Sequence, residues 1–297
     1  MRFEHIKPYK SFLLHSYQEV LRMYIVFDFD GVFTDQTDHV KLYTNLMINE
    51  IEKITSKEWP EIQQEMDEEL HLLHRNSTTQ GWKPLGTLSA YWNESDSFTA
   101  TAIFENLLNR RYQEVVEQHH PSVYKCLDKF FKQAYAETKP RMDQGIEEMF
   151  GELAKQNIGF TIVTTSAEES TRALLNNEQV PIVGKALKFA HNSEFTRYGT
   201  NISVQHGSDT YNVNVQRDKF HDIIAQIEQK HGSVDLAVGD VFSLDLALPY
   251  AMGKNIVLKK NEYTPAWAEQ FVRACDRGYV IDGLGELPAL CEKIKRK

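Results

Sequence analysis

Tyr24-Ile25-Val26-Phe27-Asp28-Phe29-Asp30-Gly31-Val32-Phe33-Thr34-Asp35 decides how this chain is read. Four apolar residues in a row, Tyr24 to Phe27, suit a strand covered on both faces. Gly31 lets the backbone turn sharply off the strand end. Two aspartates one residue apart therefore emerge at the carboxyl end of a central strand, where open α/β sheets place their ligands. Side chains alternate along an extended chain, so Asp28 and Asp30 share a side while Phe29 points away. Two carboxylates held together repel unless a cation or a proton sits between them. The pattern points to a metal and to acid–base work.

Around this stretch the bulk numbers set bounds. The 297 residues suffice for one large domain or two medium ones. Hydrophobic residues at 41% and charged residues at 25% are ordinary for a globular protein. A net charge of −9 argues against a general nucleic-acid binder, which needs clustered Lys and Arg. The small basic tail, Lys293, Lys295, Arg296 and Lys297, reads as a solvated helix end. Cys126, Cys275 and Cys291 are scattered and odd in number, as expected of structural thiols in a reducing compartment. No apolar run approaches the roughly 18 residues of a membrane span. Met1 to Lys10 lacks a signal-peptide core, so the expected location is cytoplasmic.

Along the chain, residues 1–22 are expected to form a leading helix, with Phe12, Leu13, Tyr17, Val20 and Leu21 on one face. From about Asp38 to Glu137 the texture is helical, with apolar residues such as Leu42, Leu46, Trp59, Ile62, Met66, Leu107, Leu127 and Phe131 at helical intervals. Four or five helices are expected there. After Pro140 strands and helices alternate. Helices are expected at Gly145–Gln156, Ala167–Asn177, Lys219–Lys230 and Ala266–Cys275. Strands are expected at Gly159–Val163, Val180–Val183, Val234–Val238, Asn255–Leu258 and Tyr279–Ile281. That alternation implies a parallel, doubly wound sheet. Residues 185–217 are the least readable part. Their alternating Tyr211-Asn212-Val213-Asn214-Val215 suggests a β-hairpin inserted at the sheet edge.

Two further stretches carry chemistry. Phe160-Thr161-Ile162-Val163-Thr164-Thr165-Ser166 is a strand ending in three hydroxyl residues. Hydroxyls beside the start of the next helix can hold a phosphate oxygen, and free N–H groups there favour the same anion. Ser166 can equally serve as a helix cap. Ala237-Val238-Gly239-Asp240 delivers a carboxylate into the crevice of Asp28, and Asp245 follows from the next turn. His71 and His74, with Arg75, share a helical face but lack a third ligand and read as solvated histidines. Trp82, Tyr91 and Trp92 belong either to a loop over the site or to the packed core of the helical segment.

Taken together, these stretches resemble the motifs of the haloacid dehalogenase (HAD) superfamily, in its phosphatase and phosphomutase branch. The segment Tyr24 to Asp35 is similar to the first motif, and Gly239-Asp240 with Asp245 to the fourth. Thr164 best matches the second, so the resemblance implies that Thr164 and Thr165 bind phosphate. The third requires a lysine near the start of a helix. Lys219 fits best, although it lacks the Lys-Pro step of many relatives, and Arg217, Lys185 and Lys188 are rivals. The implied cofactor is Mg²⁺, which oxygen ligands suit. Asp28 and Asp240 would bind it through carboxylates and Asp30 through its backbone carbonyl, while Asp245 would orient a metal-bound water.

The resemblance implies an α/β, doubly wound, Rossmann-like core at 1–37 and 138–297 with an all-helical cap at 38–137. It also implies a Mg²⁺-dependent phosphatase. Asp28 would attack phosphorus to form an aspartyl-phosphate, with Asp30 as general acid and then base. The cap would close over the site on linkers at Gln36–Asp38 and Glu137–Asp143. The alternatives are a phosphomutase of the same superfamily and a non-catalytic binding protein that keeps the fold. A small phosphorylated substrate is expected, or a phosphoprotein if the cap leaves the cleft open. No nucleic-acid partner is expected.

Overall fold

The computed structural model describes residues 23–83, 86–94 and 99–296. The expected leading helix and the last residue of the basic tail lie outside the described residues. The described residues open with strand β1 (Met23–Phe27), then the short β2 (Thr34–Asp35), helix α1 (Thr37–Thr55) and helix α2 (Trp59–Arg75). A short strand pair, β3 (Gly81–Trp82) and β4 (Ala90–Tyr91), precedes α3 (Thr99–Leu107), α4 (Gln113–His119) and α5 (Val123–Thr138). A π-helical turn, Leu108–Tyr112, joins α3 to α4. Then come β5 (Arg141–Met142), α6 (Ile146–Lys155), β6 (Ile158–Val163), α7 (Glu168–Leu175) and β7 (Ile182–Val183). A hairpin of β8 (Asn201–His206) and β9 (Asp209–Asn214) leads to α8 (Asp218–His231) and β10 (Leu236–Gly239). The chain continues through α9 (Ala247–Ala251), β11 (Asn255–Lys259), α10 (Ala266–Ala274), β12 (Gly278–Ile281) and α11 (Leu287–Lys295).

Six of these strands form one parallel sheet in the order β12-β11-β10-β1-β6-β7. From β1 the chain moves outward through β6 and β7 to one edge. It then returns to β10, on the other side of β1, and continues to the opposite edge. The switch point between β1 and β10 is where a crevice opens beyond the carboxyl ends of the strands. Both faces of β1 are buried, as its run of apolar residues requires. Tyr24 and Val26 pack with Phe220 and Ile224 of α8 and Trp267 of α10. Met23, Ile25 and Phe27 pack on the other face with Met149 and Leu153 of α6 and Leu287 of α11. The sheet is thus the expected doubly wound one.

The helices between β2 and β5 bury a core of their own. Tyr43, Met47 and Ile51 of α1 meet Ile62 of α2, Phe104 and Leu107 of α3, and Cys126 and Phe130 of α5. The two strands that join this layer to the sheet, β2 and β5, pair antiparallel, with Thr34 opposite Met142 and Asp35 opposite Arg141. Among the described residues the layer is helical apart from the β3–β4 pair. The hairpin at 201–214 differs from its expected place. It forms a separate two-stranded sheet rather than extending the main one. Its apolar face explains this: Tyr211 stacks on Trp267 of α10 at a centroid distance of 4.4 Å, so the hairpin covers a helix instead of an edge strand. No helix among the described residues is long and apolar enough to cross a membrane.

Candidate active site

Asp28 continues β1. Its backbone N–H donates to the carbonyl of Val238 at 2.8 Å, so the β1–β10 ladder runs on to the carboxylate itself. Phe29 points the other way, into the core beside Phe33. Gly31 then turns the chain with φ +76°, where a side chain is strained. A Cβ there would also lie 2.0 Å from Oδ2 of Asp240, so the glycine is what lets the β1 turn and the β10 aspartate approach. Gly239 has a similar role on β10, since a Cβ would fall 2.4 Å from the Cβ of Asp245.

The carboxylates of Asp28, Asp240 and Asp245 converge at this switch point, with one oxygen of each within 4.8 Å of the others. Lys188 joins them. Its buried ammonium donates to Oδ1 of Asp28 and to Oδ1 of Asp245, each at 2.6 Å. The other oxygen of Asp245 accepts the Val241 N–H at 3.2 Å. Asp30 faces the neighbouring strand, where its Oδ2 accepts from the Ser166 hydroxyl at 2.7 Å and the Thr164 hydroxyl at 3.3 Å. Its Oδ1 accepts from the Gln36 amide at 3.1 Å, at the mouth of α1. Asn261 donates to Asp240 at 3.3 Å.

Burial dominates the electrostatics. It pushes the Asp28 carboxyl up to about 8, helped by the charge of Asp245 and opposed by Lys188. Burial also raises Asp30, against the Ser166 hydrogen bond. For Lys188, burial alone favours the neutral amine, but the charges of Asp245 and Asp28 hold it above its ordinary value. Four aspartates and one ammonium meet here, so ionising all four carboxyls would leave an excess of negative charge, which the raised Asp28 and Asp30 reflect. A hard divalent cation suits that set of oxygen donors. Asp28, Asp240 and Asp245 are the carboxylates positioned to hold it.

Several expectations are revised by this arrangement. The lysine between the aspartates is Lys188, not Lys219. Lys219 is exposed in the first turn of α8 and forms no ion pair with the three aspartates. The reason lies in the backbone. Lys185 N–H donates to the carbonyl of Ser166 at 2.7 Å and Ala186 N–H to that of Thr164 at 2.8 Å. These bonds extend the β6–β7 pairing past the strand ends and carry residue 188 into the crevice. Lys185 itself is exposed, and Arg217 is buried elsewhere, against the carbonyls of Leu244 and Ser89. Thr165 is exposed, whereas Thr164 is fully buried and accepts the Ser166 N–H. Ser166, left open from the sequence between phosphate ligand and helix cap, is the closer hydroxyl to Asp30. Asp245 lies among the converging carboxylates rather than behind them.

Elsewhere, His74 packs edge-on to Trp92, and His71 is exposed. Neither belongs to a metal-like group among the described residues. Tyr91 is buried with the sheet's core, against Tyr211 and Trp267. All three cysteines are free.

Several of the solved structures this chain resembles carry haloacid dehalogenase or HAD names. A Bacillus subtilis protein described as a HAD-hydrolase, YfnB, solved bound to magnesium, is 14% identical over 91% of this chain and 98% of its own, at TM-score 0.46. A 2-haloacid dehalogenase from Pseudomonas syringae is 12% identical over 91% and 98%, at 0.45. A HAD phosphatase from Thermococcus onnurineus is 15% identical over 91% and 97%, at 0.47. No protein-family model and no curated protein matches the sequence. Likeness at this level decides nothing about chemistry, which rests on the side chains above.

Proposed function

We propose that this chain is a HAD-type phosphohydrolase that cleaves a phosphate monoester through a phosphorylated Asp28. One observation carries the reading: Lys188 clamps Asp28 and Asp245 at 2.6 Å each, at the switch point of a doubly wound sheet, with Asp30 on the same side of the chain. Asp240 and Asp245 complete a carboxylate set suited to Mg²⁺, which when bound supplies charge neutralisation for the transferring phosphoryl group.

The chain's own residues account for the remaining steps. Asp28 must be ionised to attack, and Lys188 favours that form and spreads the charge of the equatorial oxygens. Asp30, raised by burial, can hold a proton and give it to the leaving oxygen. Once deprotonated, it takes a proton from the water that cleaves the acyl-phosphate. Ser166 and Thr164 hold the Asp30 carboxyl toward the crevice. Gln36, at the start of α1, reaches the same carboxyl from the helical layer, so movement of that layer would be felt at the proton donor. The layer and its β2–β5 linkers are the proposed cap, and the substrate is proposed to be a small phosphate monoester.

The test is phosphate release from para-nitrophenyl phosphate with and without Mg²⁺, comparing wild type with Asp28→Asn and Lys188→Met. Metal-dependent release lost in both variants supports the reading. Release that survives Asp28→Asn rejects it.

A further inference from the structure

The turn that carries Asp245, Phe242–Leu246, begins a helical segment that runs on into α9. Helix starts leave N–H groups without intrahelical acceptors, and a nearby residue usually caps them. Two side chains act here. Asp245 itself accepts the Val241 N–H. The Ser243 N–H is capped by a residue 149 positions away in sequence: Oε1 of Glu94 accepts it at 2.6 Å. The second oxygen of Glu94 accepts the Tyr91 N–H at 2.9 Å, which closes the turn after β4. Glu94 is 2% exposed, so its carboxyl spans two backbones with little water to replace either bond.

A second buried charge fastens the same turn. Arg217, also 2% exposed, donates to the carbonyl of Leu244 at 3.1 Å and to that of Ser89 at 2.8 Å. The N–H of Ser243 and the carbonyl of Leu244 are thus both tied to the segment around β4, through residues other than the turn's own. Ser89 also donates to the carbonyl of Phe189, next to Lys188, at 3.2 Å. The β4 segment therefore touches the turn that positions Asp245 and the loop that positions Lys188.

We infer that Glu94 is a positioning residue: it caps the Asp245 turn from the inserted segment and, with Arg217, sets the geometry of the Asp245–Lys188–Asp28 clamp. The inference rests on the phosphohydrolase reading for its consequence and for the kinetic arm of its test, but not for the calorimetric arm. Two corollaries follow. The β3–β4 segment is a fixed wall of the sheet domain, held by Glu94, Arg217 and the packing of Tyr91 on Tyr211 and Trp267. Movement of the proposed cap is then confined to its helices.

The experiment compares Glu94→Ala and Glu94→Gln with wild type, full chain, by Mg²⁺ calorimetry at a temperature well below all three melting points, and by kcat and KM. Loss of a residue that orients metal ligands typically costs about 10- to 100-fold in affinity or activity. Glu94→Ala is expected to weaken Mg²⁺ at least about tenfold and to lower kcat more than it changes KM. Glu94→Gln keeps one acceptor for Ser243 and is expected to recover much of both; it also serves if the alanine variant fails to fold. A lowered melting temperature with Mg²⁺ affinity and kcat as in wild type, in whichever variant folds, would show a purely structural role and overturn the inference. A wild type that binds Mg²⁺ but hydrolyses nothing would instead count against the phosphohydrolase reading, since the calorimetric comparison needs no turnover.

Discussion

Replacing Lys188 by Met removes the ammonium that the buried Asp245 and the largely buried Asp28 share. The side chain keeps its approximate length and loses its charge. At an effective dielectric near 20, each Lys188–carboxylate contact at 2.6 Å is worth roughly 6 kcal/mol before desolvation is subtracted. Burying the three charges offsets most of that, and breaking such a group from one side typically costs about 3–5 kcal/mol. The protein can avoid part of this cost by protonating Asp28, whose carboxyl already stands at about 8. That escape is what harms catalysis: a protonated Asp28 is no nucleophile. On the proposed mechanism the variant also loses a donor to the transferring oxygens, which alone costs about 10²–10³ in kcat. Lys188→Met is therefore expected to fold, to lose at least about 10²-fold in kcat, and to shift the acid limb of its pH–rate profile upward at a fixed Mg²⁺ concentration. The assay is kcat against pH with para-nitrophenyl phosphate, beside Lys219→Met as a control. A Lys188→Met enzyme within about threefold of wild type, or a Lys219→Met enzyme as damaged, would refute the assignment of the clamp.

Other expectations follow from the same geometry. Gly31→Ala must either move Asp240 or strain a φ of +76°, so it should weaken Mg²⁺ by calorimetry even where circular dichroism shows an intact fold. Ser166→Ala loses the 2.7 Å bond to Asp30 and should slow alkyl phosphates, whose leaving group needs a proton, more than para-nitrophenyl phosphate, whose leaving group does not; equal slowing of both would count against Asp30 as the proton donor. In the metal-free protein, Asp28 at about 8 and Glu94 at about 7 both sit above their ordinary values, so the folded state binds more protons than the unfolded one. Their contribution to stability is present at low pH and is lost as pH rises from the unfolded carboxyl values toward these folded ones. The melting temperature without metal should therefore include a downward component between about pH 5 and 8, and Mg²⁺ should raise it more at pH 8 than at pH 5.5. A Mg²⁺ effect independent of pH would contradict this.

The sheet was legible because its strands announce themselves. Tyr24–Phe27 and Leu236–Gly239 are apolar runs that end in an aspartate, and parallel strands buried on both faces must be apolar throughout. The two aspartate motifs could be placed for the same reason, since a strand end fixes where its next side chain goes. Lys188 could not. It lies on a loop without periodicity, and its place is set by two backbone bonds between 185–186 and 164–166 that no local pattern encodes. The resemblance asks for a lysine at a helix start, which favoured Lys219, but the first turn of α8 presents that residue to solvent. Ser166 was ambiguous because a hydroxyl after a strand serves equally as a cap or as a donor to a phosphate oxygen, and its bond to Asp30 exists only in the folded chain. Glu94 gave no signal, because a cap contributed from 149 residues away exists only in the folded chain.

The measurement that bears most directly on the central claim is the chemical identity of the phosphorylated residue. Wild-type enzyme turning over a phosphate monoester with Mg²⁺ is acid-quenched and reduced with borohydride, which converts an aspartyl-phosphate to homoserine, and the peptides are read by mass spectrometry. Homoserine is expected at position 28, and none there in Asp28→Asn. Homoserine at another aspartate, or steady phosphate release with position 28 unmodified throughout, would contradict that claim.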